Sequence, residues 1–326
     1  MKGSIIIPVY NAASTISDTI LSILNQTEKD FEVIFINDAS SDNSREICEE
    51  ISKKDSRFKC INLNNNYGPA GTRNIGIKEA KGDRILFVDS DDLIDSKYVE
   101  RLTDSQYDNY DIVWCNFQYA FKDSHEVIPT SHDLVGEIPF KSYLTAYANN
   151  STGTGSLWNK SYKREFIQYN NLYIDESRVY GEDWDFNFRV SLLHPKVIVI
   201  PDILYTYIKQ NKSVSTKYYF EDLDSYCLSH KMIVETVDKY NLDVSLKILS
   251  ERFIYNIISL LYKLAHSSLT MERKKDEFNR IISNTLFNSL LKKPIYQNQN
   301  LTKRQKATAV ALKLHLYKVA WKILSI

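Results

Sequence analysis

Three carboxylates follow a short apolar run in the sequence, at a spacing that suits the binding of a cation. Residues 85–88 are apolar, which is typical of a buried strand in a parallel sheet, and they are followed by Asp89-Ser90-Asp91-Asp92. Carboxylates two positions apart at a strand end can share a hard divalent cation, with substrate phosphate oxygens completing its shell. The alternative is a polar turn whose aspartates cap a helix that starts near Ser96.

The elements upstream place these carboxylates in a larger polar edge. Apolar runs at 4–9, 31–36, 58–63 and 85–88 alternate with segments of helical periodicity at 14–25, 44–53 and 70–80. This alternation predicts an α/β fold, a mostly parallel sheet with helices on both faces. Polar residues follow all four strands, among them Asn11, Asp38, Asn66 and Asp89. Since open α/β sheets bind ligands at the carboxyl ends of their strands, we interpret this edge as a nucleotide crevice.

The chain changes character near residue 217. Before it we expect strands at 111–120, 197–201 and 204–208, a strand-and-loop excursion at 126–140, a helix at 141–148 and a polar loop at 149–156. After it the periodicity is helical throughout, with helices expected at 225–240, 244–266, 272–291 and 303–324. The sequence therefore predicts an α/β domain at 1–217 and an all-helical region at 218–326.

Composition narrows the class of protein and its compartment. The 326 residues carry a formal net charge of zero, which argues against nucleic acid as the main partner. The four cysteines are widely spaced and form no C-x-x-C pair, so a reducing compartment is favoured. No run approaches the ~18 apolar residues of a membrane span, and the apolar run after Met1 is too short for a signal peptide. We expect a cytoplasmic protein.

Several motifs, in order along the chain, resemble those of the family 2 glycosyltransferases, which have the Rossmann-like GT-A fold. The strings that match lie at 5–11 (IIIPVYN), 22–27 (SILNQT), 35–42 (FINDASSD), 66–76 (NYGPAGTRNIG), 87–92 (FVDSDD), 158–160 (WNK) and 181–183 (GED). The resemblance covers about residues 1–215. It implies a nucleotide-sugar half at 1–110, an acceptor half at 111–217 and inverting transfer of a sugar from a nucleotide diphosphate sugar.

The resemblance also implies which residues hold the donor. They are Pro8, Val9, Tyr10, Asp38, Asn66, Arg73, Asp89 and Ser90. Asp38 would accept a hydrogen bond from an imide N–H of the base, which favours uracil or thymine over adenine; alternatively it caps the following helix. Arg73 would hold the base and diphosphate region, and the alternative is a charge on a helix surface. Asp91, with Asp89, would ligate Mn²⁺ or Mg²⁺, which neutralises the leaving diphosphate.

Asp183 is the predicted general base. Inverting transfer needs one carboxylate to take the proton of the acceptor hydroxyl as its oxygen attacks the anomeric carbon. The alternative for Asp183 is a helix N-terminal carboxylate stabilised by the helix dipole. Trp158, Lys160 and Glu182 are the predicted acceptor contacts, although a tryptophan is more often a core residue.

A further motif lies at the end of the predicted α/β domain. Residues 204–215 resemble the family's loop that folds over the diphosphate, with Lys209, Lys212 and Ser213 as candidate contacts. Ile208 stands where that family commonly has an arginine. A lysine can supply the charge as a point charge, but without the bidentate geometry of arginine.

The last expected helix is basic and amphipathic. Eight Lys or Arg and no Asp or Glu follow Leu291. On a helical wheel of 303–324 one face holds Arg304, His315, Lys318 and Lys322, and another face holds Val310, Leu314, Tyr317, Trp321 and Leu324. This pattern is typical of a helix at a membrane surface, and equally of a helix packed on its own domain with a solvated basic face.

Together the motifs predict an enzyme that moves a sugar from a UDP-sugar to a hydroxyl of a saccharide or lipid-linked saccharide. The setting would be bacterial surface or capsular polysaccharide synthesis at the inner face of the membrane. Two rivals are a degenerate sugar-nucleotide-binding assembly module and a sugar-nucleotide pyrophosphorylase. Asp89, Asp91 and Asp183 argue against the first, and the absence of a Gly-rich loop after the first strand argues against the second. A dinucleotide oxidoreductase is excluded because no G-x-G-x-x-G follows that strand.

Overall fold

The chain divides into two compact units, Met1–Asn211 and Lys212–Ile326. The computed structural model describes residues 1–121, 126–130, 134–149, 151, 153–178, 181–209, 218–291 and 302–325. The strands of the first unit are β1 (Gly3–Val9), β2 (Phe31–Asn37), β3 (Phe58–Asn62), β4 (Arg84–Phe87), β5 (Leu93–Ile94), β6 (Ile112–Phe121), β7 (Val127–Pro129), β8 (Gly136–Ile138), β9 (Lys160–Lys163) and β10 (Val197–Lys209). Its helices are α1 (Ile16–Leu24), α2 (Ser44–Lys54), α3 (Gly68–Glu79), α4 (Tyr98–Leu102), α5 (Phe140–Ala148), α6 (Arg164–Tyr169) and α7 (Glu182–Ser191).

The predicted α/β fold is confirmed. All ten strands form one sheet, in which the order β3-β2-β1-β4 is parallel. Ile5, Ile6 and Ile7 of β1 are all fully buried, as expected of a parallel strand covered on both faces. A Cβ on Gly76 would lie 2.2 Å from Cγ2 of Ile6, so this glycine lets α3 pack directly on β1.

The second half of the sheet is mixed. β9 pairs antiparallel with both β4 and β6, and it was not predicted because Lys160–Lys163 is not an apolar run. The prediction of two strands at 197–201 and 204–208 is wrong, since β10 runs unbroken from Val197 to Lys209. Its pairing with β6 shifts register between Val199 and Tyr205. That irregularity accommodates Pro201, which has no N–H for the ladder.

The second unit is built from helices in the residues that the structure describes. They are α8 (Asp222–Tyr240), α9 (Leu246–His266), α10 (Met271–Ile282), α11 (Thr285–Leu291), α12 (Lys303–Lys313) and α13 (Tyr317–Leu324). Its core gathers around α9, whose Ile257, Leu260, Leu261 and Leu264 are fully buried. Among the described residues, no helix combines the length and apolar content that crossing a membrane requires.

Two expected long helices are each broken, so those predictions are wrong. Between α10 and α11, the Asn284 side chain accepts a hydrogen bond from Phe287 N and starts a new helix. Between α12 and α13, His315 has a left-handed φ of 56°, and Leu316 N donates to Ala311 O at 2.8 Å. This is a Schellman motif, which ends a helix. Residues 303–324 therefore have no single continuous basic face.

Candidate functional site

The carboxyl ends of β1, β2 and β4 lie together, as the sequence indicates. Asp38 N donates to Val9 O at 2.8 Å, and the Asn66 side chain donates to Asp38 O at 3.3 Å. Thr15 Oγ1 donates to Ser90 O at 3.1 Å and ties the start of α1 to the turn after β4. The polar residues that follow these strands thus lie together at one edge of the sheet.

Asp38 holds the start of α3 with both of its carboxylate oxygens. Oδ1 accepts from Tyr67 N at 2.7 Å, and Oδ2 accepts from Gly68 N at 2.9 Å. Burial raises the pKa of Asp38, and these two N–H groups oppose the rise. Asp38 therefore caps a helix, but it caps α3 and not the α2 helix that follows it. Each oxygen keeps a further lone pair for a ligand.

Two exposed tyrosines flank Asp38. Tyr10 is 56% exposed and Tyr67 is 54% exposed, whereas Val9 is buried and Pro8 is half-buried. Tyr67 was not predicted, although it stands between two predicted residues of the 66–76 motif. Exposed aromatic side chains on residues near a carboxylate suit a flat heterocycle, which can pack on a ring and hydrogen-bond to the carboxylate.

The three carboxylates after β4 have different environments. Asp92 is fully buried; its Oδ2 accepts from Tyr205 Oη at 2.7 Å and its Oδ1 from Ile208 N at 2.8 Å. Asp91 is exposed, but crowding by protein atoms and the nearby charge of Asp89 raise its pKa to about 6. Asp92 is therefore a structural anchor to β10, whereas Asp89 is half-buried and Asp91 is exposed.

Asp89 and Asp91 fit a cation that also binds the substrate. Within the described ranges, no three His, Cys, Asp or Glu side chains lie close enough together to hold a metal ion. A pair of carboxylates, with substrate phosphates and waters as the other ligands, is how Mg²⁺ is usually held. The donor set present therefore suits a hard cation that arrives with a diphosphate.

Arg73 lies between the two predicted halves of the site. Its Nη2 is 2.7 Å from Asp89 Oδ1, and its Nη1 is 3.1 Å from Glu182 Oε1. Burial disfavours its charge, but these two carboxylates outweigh burial and keep the pKa of Arg73 above its usual value. Two of its three nitrogens are thus engaged by carboxylates. The predicted acceptor contact Glu182 is likewise occupied by this ion pair.

Asp183 lies in the first turn of α7, after Gly181, whose left-handed φ of 74° suits glycine. Its Oδ1 accepts from Trp184 N at 2.7 Å. Burial, and then the charge of Glu182, raises the pKa of Asp183 to about 7, while Arg73 opposes the rise. A carboxylate with a pKa near neutrality is suited to accept a proton and release it.

A cavity of about 370 Å³ opens beside Asp183. Its lining includes Tyr119, Trp184 and the small polar residues of 151 and 153–156. Tyr119 and the loop were not predicted as site residues. Trp184 follows Asp183 in the chain, so its place next to the carboxylate could have been expected.

Three other predicted residues have unexpected surroundings. Trp158 is half-buried and stacks on Tyr205, with ring centroids 4.4 Å apart. Lys160 is fully buried, with its Nζ bonded to backbone and amide oxygens, so it does not face the cavity and the predicted acceptor contact is corrected. The Lys209 ammonium lies 4.2 Å from the ring centre of Tyr119, which lines the cavity. Lys212 and Ser213 lie outside the described residues.

Comparison with known proteins gives a consistent family. The family model described as glycosyl transferase family 2 matches residues 4–169. The uncharacterized glycosyltransferase EpsJ of Bacillus subtilis (strain 168) is 33% identical over 226 residues, 68% of this chain and 65% of that protein. The cholesterol galactosyltransferase of Borreliella burgdorferi is 32% identical over 272 residues, 80% of this chain and 71% of that protein. The match to EpsJ thus spans slightly less than two thirds of that relative.

A solved structure shares the fold. The S. aureus TarS fragment 1–349, solved in complex with UDP-GlcNAc, matches with a TM-score of 0.63 at 21% identity. The match covers 99% of this chain and 90% of that one. At this identity the likeness concerns the arrangement of helices and strands.

Proposed function

The chain belongs to glycosyltransferase family 2, and from this we propose that it transfers a sugar from a UDP-sugar to a saccharide hydroxyl with inversion. One observation carries the proposal most directly. Asp183, with a pKa raised to about 7, lies beside a cavity and is joined through Glu182 and Arg73 to Asp89. A proton acceptor and a candidate donor-binding carboxylate thus belong to one charged network.

The residues of the nucleotide-sugar half support the proposal that the donor carries a uracil base. The Asp38 carboxylate is buried and bonded to Tyr67 N and Gly68 N, and the nearby residues Tyr10 and Tyr67 have exposed side chains. An imide N–H donates to a carboxylate, whereas the Watson–Crick edge of adenine has no such N–H in the ring. We assign Pro8, Val9 and Asn66 to the walls of this base site. The complex of TarS with UDP-GlcNAc is a relevant precedent from the same fold.

Asp89 and Asp91 are the residues that would hold Mn²⁺ or Mg²⁺. A bound cation there neutralises charge that develops on the leaving diphosphate. Ser90 and Asp89 are assigned to the ribose and diphosphate side of the crevice. Lys212 and Ser213 remain predictions for the diphosphate.

Asp183 is assigned as the base of the transfer. The acceptor oxygen attacks the anomeric carbon, its proton passes to Asp183, and the bond from that carbon to the diphosphate oxygen breaks. Trp184 N–H orients Oδ1 of Asp183, so we assign the proton to Oδ2. Attack from the side opposite the leaving group inverts the anomeric configuration.

The acceptor is proposed to be a growing surface polysaccharide or its lipid-linked precursor. The turn between α12 and α13 is the surface that we propose for contact with the membrane. Leu314, Leu316 and Val319 are exposed there, and Lys318 and Lys322 are exposed nearby. Apolar side chains beside cations suit shallow, reversible binding to an anionic lipid surface.

A donor hydrolysis screen tests the proposed function. We expect release of UDP from one or a few UDP-sugars in the presence of Mn²⁺, with suppression by a chelator. Asp91→Asn should lose this activity, whereas Asp95→Asn, at an exposed aspartate that accepts from Lys97 N, is the matched control. Hydrolysis of GDP- or ADP-sugars in place of UDP-sugars would overturn the donor assignment.

A further inference from the structure

The loop at 153–156 is held from inside the protein at every one of its backbone carbonyls. We name this segment the pinned loop. Gly153 O accepts from Lys160 Nζ at 2.8 Å and from Asn159 Nδ2 at 3.1 Å. Thr154 O accepts from Tyr147 Oη at 2.5 Å. The last two carbonyls accept from Asn187 Nδ2 at 2.9 and 3.2 Å, and Ser156 O also accepts from Lys160 Nζ at 2.6 Å.

A lysine is an unusual residue to donate hydrogen bonds to these buried carbonyls. Lys160 is fully buried, and its Nζ has three oxygen partners, the carbonyls of residues 153 and 156 and Oδ1 of Asn159. These use all three donors of an ammonium, and none of the partners is a carboxylate. Burial lowers the pKa of Lys160 well below its usual range, while the nearby charge of Asp183 and the three hydrogen bonds favour the ammonium form.

The pinned loop is also tied to the helix that carries Asp183. Asn187 Nδ2 lies 3.1 Å from Asp183 O, so one amide contacts both the loop and the backbone of the proposed base. A Cβ on Gly155 would lie 2.9 Å from Cδ1 of Trp184, which shows how closely the loop packs on α7. The position of the loop relative to Asp183 is therefore fixed by contacts on two sides.

We propose that the pinned loop is the acceptor-binding wall of the cavity, and that Lys160 and Asn187 are positioning residues that hold it against Asp183. This inference rests on the proposed function. All four residues of the pinned loop line the cavity together with Asp183, and Thr154 is held further by its N and Oγ1, which both donate to Ser151 O. The cavity, at about 370 Å³, is near the lower end of the ~300–1,000 Å³ typical of ligand sites. It suits one monosaccharide unit at the end of the acceptor.

The Trp158-Asn159-Lys160 motif then positions the pinned loop and does not itself contact the acceptor. Asn159 and Lys160 hold the loop, and Trp158 packs on the other side, against Tyr205. The motif thus acts on the acceptor through the backbone of 153–156.

The experiment compares transfer with hydrolysis of the same donor. Water needs no acceptor site, so a shift of the loop should affect transfer more than hydrolysis. The probes are the UDP-sugar found by the donor screen and a panel of nitrophenyl monosaccharides. For Lys160→Met we expect kcat/KM for the sugar acceptor to fall about tenfold more than donor hydrolysis, mainly through KM. Lys163→Met, on the same strand and bonded to Asp108 O, is the matched control.

Tyr147→Phe covers the case in which Lys160→Met does not fold. It removes one hydrogen bond to Thr154 O and keeps the ring, so a smaller rise in acceptor KM is expected, again without an equal loss of hydrolysis. Equal falls of transfer and hydrolysis in either folded variant would overturn the loop assignment alone. A parent enzyme that hydrolyses no UDP-sugar would overturn the proposed function, and the loop assignment with it.

Discussion

The pH dependence of transfer tests the assignment of Asp183 as the base. Burial and the charge of Glu182 raise the pKa of Asp183 to about 7. A base must be ionised to accept a proton, so kcat/KM for the acceptor should rise with pH and level off above about pH 7. One unit below the midpoint, roughly a tenth of the molecules carry an ionised Asp183, which predicts a roughly tenfold lower rate.

Glu182→Gln should move this acid limb to lower pH. The change removes a negative charge next to Asp183, and it also frees Arg73 from one of its two carboxylates. Both effects favour the ionised form of Asp183 and therefore lower its pKa. Glu165→Gln, at an exposed glutamate of α6, is the matched control and should keep the parental midpoint.

Initial rates at saturating donor and Mn²⁺, from about pH 5.5 to about pH 8.5, measure the midpoint. Asp183→Asn should lower the plateau by ~10²–10⁴-fold, and calorimetry should find UDP binding intact. An acid limb that persists unchanged in Asp183→Asn would refute the assignment. A shift to higher pH in Glu182→Gln would refute the electrostatic reasoning.

Three further predictions concern the cation, the helical unit and the membrane. Asp91→Asn removes a charged oxygen ligand, so UDP release should need far more Mn²⁺ for half-saturation; an unchanged titration would contradict the cation site. Leu324→Ala empties a buried position in the core of the second unit and should lower the free energy of unfolding by ~2–5 kcal/mol in a denaturant titration. Leu316→Glu places a charge in the exposed turn, so sedimentation with anionic vesicles should fall at an unchanged Tm; binding equal to the parent would contradict the membrane proposal.

β1, β2 and β4 were predictable because each carries an apolar run that is covered on both faces. β3 is an edge strand with an exposed Lys59, and it was predictable from its place in the alternation of strands and helices. The break between α12 and α13 was not, because 303–324 keeps its helical periodicity across His315, where the backbone is left-handed. A helical wheel assumes one axis and cannot report such a turn. The continuity of β10 was not predictable either. Pro201 suggested that a strand ends there, but β10 continues through it with a shift in its register against β6.

Site residues that are near in sequence, such as Asp89 and Asp91, could be placed together from the sequence alone. Contacts between residues that are far apart in the chain were not predictable. Lys160 is a charged residue, and charge favours a surface position; its burial depends on carbonyls that a loop and an amide supply. Asn187 meets the pinned loop about thirty residues back in sequence, with Gly155 O at a sequence separation of 32. Sequence spacing reveals its place on the same helix face as Asp183, but not that contact.

The adjacent carboxylates Glu182 and Asp183 have different surroundings, because Glu182 forms an ion pair with Arg73 and Asp183 lines the cavity. The guanidinium of Arg73 is buried between Asp89 and Glu182, and removing one partner of a buried ion pair leaves an uncompensated charge. Glu182 raises the pKa of Asp183 and the Arg73 guanidinium lowers it, so these two neighbouring charges together set the pH at which the proposed base is ionised.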